Sequence, residues 1–417
     1  MARPLDITVI GIGRVGAPLS AWCVERGAQV RAVEVSAARR AAILDGSGLR
    51  DEPDVHGVIE EAIERGAYTW SDSIVGAPVM IVATPEEVLE GIAGDVARAA
   101  PDGALVCVSS TVGPRTMREV VAPRFEGVGR EVFLAHVPER ITPGEAARDL
   151  GRMPRIIGSM TDACAARAQA FFGRMDPGLE LAHTTPERSA LAKMFENVYR
   201  DVNVALANEL AELADAHGED FRAIAELANG HPRVHLHREG IGAGGVCLPW
   251  ASRRAVQLAG EVGVGAPLVR AARASHEELA ELLAQRVAGA LRPTLDPEQV
   301  GTIAMLGLAY KANVGEVRAS PALALRRALA ARGFRVRVHD PWVGADSWSL
   351  EDAVRGAHAI VLATAHDAFA ALEPEHVAGM SGAHVFDFVN VLSDEDWVRA
   401  GFRYSRRGET IEQREES

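Results

Sequence analysis

A chain of 417 residues is long for a single core and sets two or three domains as the starting expectation. Its formal charge of −13, from 44 basic against 57 acidic residues, argues against a general nucleic-acid footprint and requires any anionic substrate to find a locally positive pocket. No apolar run reaches the roughly eighteen residues of a membrane span, and strand-like Asp6–Ile10 follows the N-terminus almost at once, so neither a membrane segment nor a signal peptide is expected.

Four cysteines, Cys23, Cys107, Cys164 and Cys247, are scattered without metal-ligand spacing. Reduced thiols of a cytoplasmic protein fit them better than a disulfide framework, and no metal site is expected.

The first half alternates strand and helix. Strands are predicted at Ile7–Ile10, Gln29–Val33, Val79–Ala83, Ala104–Val108 and Glu131–Ala135, with intervening helices that include Ala17–Arg26 and Ala37–Leu44. Such alternation is the pattern of a doubly wound parallel sheet. From Pro186 the pattern changes. Glu187–His217 holds no Gly or Pro and spaces Leu191, Phe195, Val198, Val202, Leu206, Leu210 and Leu213 as one amphipathic helix of about thirty residues. Helical sequence continues at Asp220–Ala228 and from Trp250 to about Leu291, and Pro293–Pro297 reads as a linker. A second α/β unit follows, with strands at Val300–Leu306, Arg335–His339, Ala359–Ala363 and His384–Phe388 and a helix at Ala322–Arg332. The expected fold class is therefore α/β: two Rossmann-like doubly wound domains joined by a central long-helix domain, divided at 1–185, 186–292 and 293–405. The charged stretch 406–417 lacks apolar anchors and is expected to be mobile.

The first strand runs into Gly11-Ile12-Gly13-Arg14-Val15-Gly16 and then a helix. In that setting Gly11 and Gly13 permit a tight turn and close approach of a pyrophosphate, Gly16 permits close strand–helix packing, and the helix N-terminus favours the phosphate charge. Glu34 ends the second strand about twenty residues on, where a carboxylate accepts from the adenosine ribose and repels a 2′-phosphate. NAD is favoured over NADP, although Arg39 and Arg40 keep that preference from being absolute. Thr84-Pro85 and Ser110-Thr111-Val112 each follow a buried strand, where ligands of such sheets bind; ordinary turn chemistry explains them equally well.

Lys193 and Asn197 are four residues apart on the long helix and can present a cation and an amide to an oxyanion, yet alone they read as solvent-facing polar residues. Glu139, just past a strand, is a candidate general base or one half of a surface salt bridge. Cys247 ends the glycine run Gly240-Ile241-Gly242-Ala243-Gly244-Gly245-Val246 and is accessible to a small polar substrate; a lone cysteine is otherwise an inert apolar residue.

Together these segments resemble the UDP-glucose/GDP-mannose dehydrogenase family over nearly the whole chain. The carriers are Gly11–Gly16, Ser110–Val112, Pro138-Glu139-Arg140, Lys193–Asn197 with Asn208-Glu209, Gly242–Pro249, Gly307–Lys311 and Val317–Pro321. Pro138–Arg140, Glu196–Asn203 and His231–Val234 are similar to the branch acting on UDP-N-acetylmannosamine or UDP-N-acetylglucosamine. The resemblance implies an NAD domain, a central dimerisation domain giving a homodimer, and a C-terminal domain for a UDP-sugar. It implies oxidation of the sugar C6 alcohol to a carboxylate with two NAD, in which Cys247 forms a thiohemiacetal and then a thioester. The positions of Lys193 and Asn197 would support oxyanions and bound water, and that of Glu139 would assist hydrolysis. NAD contacts carry over to Gly11, Gly13, Val15, Gly16, Glu34, Arg39, Thr84, Thr111 and Arg318. Substrate contacts carry over to Glu139, Arg140, Lys193, Asn197, Arg233, Gly240, Gly242, Gly244, Tyr310 and Lys311, with Arg233 reaching a partner's site.

The chain departs from the family at Ala251, where an aspartate is usual, at Gly113-Pro114-Arg115 in place of Pro-Pro-Gly, and at Asp387-Phe388-Val389-Asn390, where an arginine often follows the aspartate. A two-electron dehydrogenase and a non-catalytic nucleotide-sugar-binding homologue are therefore kept as alternatives to the four-electron enzyme.

Overall fold

The computed structural model describes residues 4–344 and 346–406; of the stretch expected to be a mobile tail, all but Arg406 lies outside the described residues. The chain divides into two compact units, one through Phe195 and one from Glu196 onward.

The first unit is built on an eight-stranded sheet of order β3-β2-β1-β4-β5-β6-β7-β8. Its strands are β1 (Asp6–Ile10), β2 (Gln29–Val33), β3 (Tyr68–Ser71), β4 (Val79–Val82), β5 (Ala104–Val108), β6 (Val132–His136), β7 (Arg155–Ser159) and β8 (Leu181–Thr184). β4 and β5 are buried throughout, as a strand covered on both faces requires. Val9, Leu19, Trp22, Ile81, Leu105 and Phe172 lie in the core between the sheet and helices α1 (Gly16–Glu25) and α2 (Asp162–Met175). The strand order reverses between β1 and β4, and the register does the positioning. Ile10 stands opposite Val33 and Val82, Val82 opposite Val108, and Val108 opposite His136. Gly11, Glu34, Thr84, Thr111 and Glu139 accordingly leave the sheet along one edge. Strands β3, β7 and β8 were not expected, and the sheet is not wholly parallel: β7 runs antiparallel to β6, with His136 opposite Gly158.

The long helix α3 (Pro186–Ala216) begins in the first unit and continues into the second. The second unit adds α4 (Phe221–Asn229), α5 (Cys247–Glu261) and α6 (Pro267–Leu291). The helical sequence expected from Trp250 to Leu291 is thus two helices, separated where Gly263 adopts φ +70° and Pro267 opens the next helix. A second, wholly parallel sheet of order β10-β9-β11-β12-β13 comprises β9 (Thr302–Leu306), β10 (Arg335–His339), β11 (Ala359–Leu362), β12 (His384–Asp387) and β13 (Arg403–Arg406). Leu283, Val287, Ile303, Met305, Leu325 and Phe386 share one core on it. Leu306 stands opposite His339 and Leu362, so Gly307–Lys311 leaves at this sheet's own reversal point. Among the described residues no helix is long and apolar enough to cross a membrane.

Candidate active site

The glycine turn after β1 has the shape that a dinucleotide demands. Gly11 adopts φ +86° and donates its N–H to the Val33 carbonyl at 2.9 Å. A Cβ on Gly16 would lie 1.9 Å from the Gly11 carbonyl, whereas one on Gly13 would meet nothing within 4 Å. Gly16 therefore seals α1 against the turn while Gly13 leaves open the face on which a pyrophosphate can rest. Val15 precedes the first residue of α1, at the helix end that attracts anions. Glu34 is buried and accepts from Ser36 N at 2.9 Å and Ile12 N at 3.3 Å, with Arg39 Nη1 at 3.4 Å. The carboxylate expected to receive the ribose thus also ties β2 to the glycine turn. The Thr84 hydroxyl is buried without a hydrogen-bond partner, an unspent polar group at this edge. These residues fit NAD, whose contribution when bound is to accept hydride. Gly16→Ala is expected to weaken NAD binding at least about tenfold in a titration, because the turn must open to admit the methyl group.

Glu139 is neither at the surface nor alone. It is 8% exposed, and its Oε1 accepts from Arg155 Nη1 at 2.5 Å. Arg155 opens β7, and continuing the antiparallel register back from His136–Gly158 brings residues 139 and 155 opposite each other. Its guanidinium carbon lies 4.7 Å from the Trp22 ring centre and 5.2 Å from that of Phe172. Arg140 is half-buried and donates to the Pro154 carbonyl at 3.2 Å.

A second buried polar link holds Ser110-Thr111. His136 Nε2 contacts the Ser110 carbonyl at 3.1 Å and Nδ1 contacts Ser189 Oγ at 3.0 Å, the arrangement of a neutral ring donating from Nε2. Burial lowers the His136 pKa from 6.5 to about 4. The unfolded chain therefore takes up this proton first as the pH falls. The stability due to the neutral ring is complete above pH 6.5 and is lost on acidification through about 4. Wild type is expected to lose roughly 3 kcal/mol more than His136→Gln over that interval in urea titrations.

In the second unit, Cys247 is the first residue of α5, so the glycine run delivers the thiol to a helix start. It is exposed, whereas Cys23, Cys107 and Cys164 are buried, and burial pushes the Cys23 and Cys107 thiols up to about 12. A helix start presents backbone N–H groups that can support developing negative charge, although Pro249 supplies none here and Trp250 N donates to the Val246 carbonyl at 3.1 Å. Gly240 N donates to Asn208 Oδ1 at 2.9 Å. A Cβ on Gly244 would stand 2.8 Å from that of Tyr310 and 2.5 Å from Pro321 Cδ, while Gly242 has φ +113°. The glycine run, Tyr310 and the start of the helix Pro321–Ala331 are therefore closely packed. Lys311 is half-buried beside Tyr310. Arg318 pairs with Glu316 at 2.6 Å, and that hydrogen-bonded carboxylate raises the pKa of its guanidinium further. A cavity of about 340 Å³ borders the first turns of α5, with Val246, Pro249, Trp250, Arg253, Arg254 and Gln257 in its lining.

On α3, Lys193 is half-buried and Asn197 is 3% exposed, its Nδ2 amide without a hydrogen-bond partner. An unspent buried donor is what an oxyanion can use. Arg233 is exposed on the segment after α4. Ala251 is fully buried. After Asp387, where an arginine is absent from the sequence, Arg222 reaches over from α4 to Glu239 at 3.0 Å and to the Val389 carbonyl at 3.1 Å.

Two doubly wound sheets, one ending in a dinucleotide turn, and an exposed cysteine at a helix start define a nucleotide-binding dehydrogenase class. Residues 5–176, 187–278 and 304–394 match in turn the NAD binding, central and UDP binding domains of the UDP-glucose/GDP-mannose dehydrogenase family. The chain belongs to that family. It is 32% identical to a UDP-N-acetyl-D-mannosamine dehydrogenase of Pyrococcus horikoshii, covering 94% of this chain and 96% of that one. It is 28% identical to an NDP-N-acetyl-D-galactosaminuronic acid dehydrogenase of Ralstonia nicotianae, over 90% and 96%. The solved structure of the Pyrococcus horikoshii UDP-D-ManNAc dehydrogenase superposes with a TM-score of 0.89 at 30% identity, covering 97% of this chain and all of that one. A UDP-N-acetyl-mannosamine dehydrogenase from Staphylococcus aureus gives 0.83 at 26% identity, over 97% and 98%.

Proposed function

We propose that this protein is an NAD-dependent nucleotide-sugar 6-dehydrogenase, oxidising the C6 alcohol of a UDP-hexose or UDP-N-acetylhexosamine to the uronic acid through Cys247. The observation that carries this reading is the placement of Cys247: it alone of the four cysteines is exposed, and it opens a helix directly after the glycine run. The similarity to UDP-N-acetyl-D-mannosamine dehydrogenases favours an acetamido sugar.

In the proposed sequence the C6 hydroxyl loses its proton to solvent through the Lys193–Asn197 region and its hydride to the first NAD, giving the aldehyde. The Cys247 sulfur adds to C6, and the resulting oxyanion is held by the Asn197 amide and Lys193 until protonated. Loss of a second hydride from this thiohemiacetal to a second NAD, with the hydroxyl proton released, leaves a thioester. Water attacks the thioester with Glu139 accepting its proton; the C–S bond breaks and the Cys247 thiolate returns. Gly240, Gly242, Gly244, Tyr310, Lys311 and Arg140 bind the nucleotide sugar, Arg233 serves a partner's site, and Thr84, Thr111 and Arg318 contact the cofactor. The division into domains 1–185, 186–292 and 293–405 belongs to the same reading.

The homodimer belongs to it as well. Tyr199, Leu206 and Leu213 are 56%, 41% and 56% exposed at sevenfold spacing on α3, and Leu227 on α4 is 82% exposed. A second copy of the chain covers such a face economically. The setting is cytoplasmic, where reduced thiols, NAD and nucleotide sugars are found together.

One observation favours the two-electron alternative: Ala251 is buried where the family has a carboxylate, so the step that hydrolyses the thioester has lost one potential aid. A panel of UDP-hexoses and UDP-N-acetylhexosamines, assayed for NADH and for product mass, tests the reading. NADH formation with a uronic acid product from at least one sugar is expected. Tight UDP-sugar binding with no NAD reduction across the panel contradicts it.

A further inference from the structure

Asp201 lies on α3 four residues beyond Asn197 and is fully buried. Its Oδ2 accepts the Ser252 hydroxyl at 2.6 Å, and its Oδ1 accepts Arg273 Nη1 at 3.0 Å. Its backbone carbonyl accepts His276 Nε2–H at 2.9 Å, and the other ring nitrogen, Nδ1, accepts the Ala243 N–H at 3.2 Å. Two arms therefore leave this residue. One ends on Ser252, itself fully buried in α5 five residues after Cys247. The other ends on Ala243, inside the glycine run that leads to Cys247. Both approaches to the thiol, the helix that follows it and the loop that precedes it, are fastened to one carboxylate-bearing residue of α3.

A fully buried carboxylate is costly to desolvate, and apolar side chains can fill the same space at no such cost. Among the described residues the hydrogen bonds of the Asp201 side chain go to α5 and α6, and Ala251, next to Ser252, supplies no polar group. We propose that Asp201 is a positioning residue that fixes the Cys247 thiol and the nucleotide-sugar loop relative to α3, through Ser252 for the thiol and through His276 for the loop. This rests on the assignment of Cys247 as nucleophile.

The two arms make separable predictions. Ser252→Ala cuts the helix arm and is expected to lower kcat about tenfold while the KM for the nucleotide sugar stays within about twofold. His276→Gln keeps a donor near the Asp201 carbonyl but loses the acceptor for Ala243, and is expected to raise that KM about fivefold with a smaller change in kcat. His276→Asn places its amide oxygen near the Nδ1 position and is expected to recover most of that KM. Both arm variants are also expected to change the rate of Cys247 alkylation by iodoacetamide, followed by peptide mass, about threefold or more. A role in stability alone would lower the melting temperature and leave the kcat-against-KM split and the alkylation rate as in wild type; that result overturns the proposal. Should His276→Gln fail to fold, His276→Asn and Ser252→Ala decide it. If wild type turns over no sugar in the panel, the dehydrogenase reading fails, and the alkylation rates, which need no substrate, still decide whether Asp201 positions the thiol.

Discussion

Cys247→Ala is expected to reduce uronic acid formation at least about a thousandfold, equivalent to about 4 kcal/mol of barrier, with little change in folding stability. Without the sulfur, the aldehyde has no covalent anchor and the second hydride must come from a free hydrate. The side chain is exposed at the first residue of α5, so its loss removes no core contact, and exposed substitutions of this kind lie within about 0.5 kcal/mol of wild type. Quantifying the acid by mass and stability by urea denaturation on the same preparation checks both halves. Acid formation within about tenfold of wild type would remove the thiol from the mechanism.

The second large effect concerns stability. Arg155→Met is expected to cost about 3–5 kcal/mol, because it leaves the Glu139 carboxylate buried without its partner. Both side chains of this pair are nearly inaccessible, at 5% and 6%, so bulk solvent screens the pair little and replaces the lost contact poorly. The Arg155 Nε and Nη2 groups are buried without hydrogen-bond partners, and stacking on Trp22 and Phe172 supports the guanidinium instead. Adding Glu139→Gln to Arg155→Met is expected to recover part of the loss, since the double variant buries no lone charge. A cost below about 1 kcal/mol, the worth of a surface pair, would show that the two groups are not coupled as the geometry indicates.

The dinucleotide turn was legible because its signal is local: a strand, three glycines and a helix within a few residues, then Glu34 at the end of the next strand. The same holds for α3, whose apolar spacing is uninterrupted from Leu191 to Leu213. Arg155 was not legible. Its importance comes from β7, a short strand whose antiparallel pairing to β6 sets Arg155 against Glu139, and no periodicity in Arg155–Ser159 announces that direction. His136 and Asp201 were missed for a related reason. A buried histidine or aspartate looks in the sequence like any surface polar residue until its partners, Ser189 and Ser252, 53 and 51 positions away, are in place. Helices α5 and α6 were read as continuous helical sequence although Gly263, Gly265 and Pro267 carry the break. Cys247 was singled out from its glycine neighbours, whereas its position as the first residue of a helix came from the structure.

The central claim is that one chain carries a sugar through two oxidations on a single cysteine. The most direct test is the amount of NADH formed per sugar consumed by the wild-type protein, measured to completion with the accepted UDP-sugar and with product mass on the same sample. Two NADH per sugar and a uronic acid are predicted. One NADH per sugar with an aldehyde as the end product would contradict the claim and identify a two-electron enzyme.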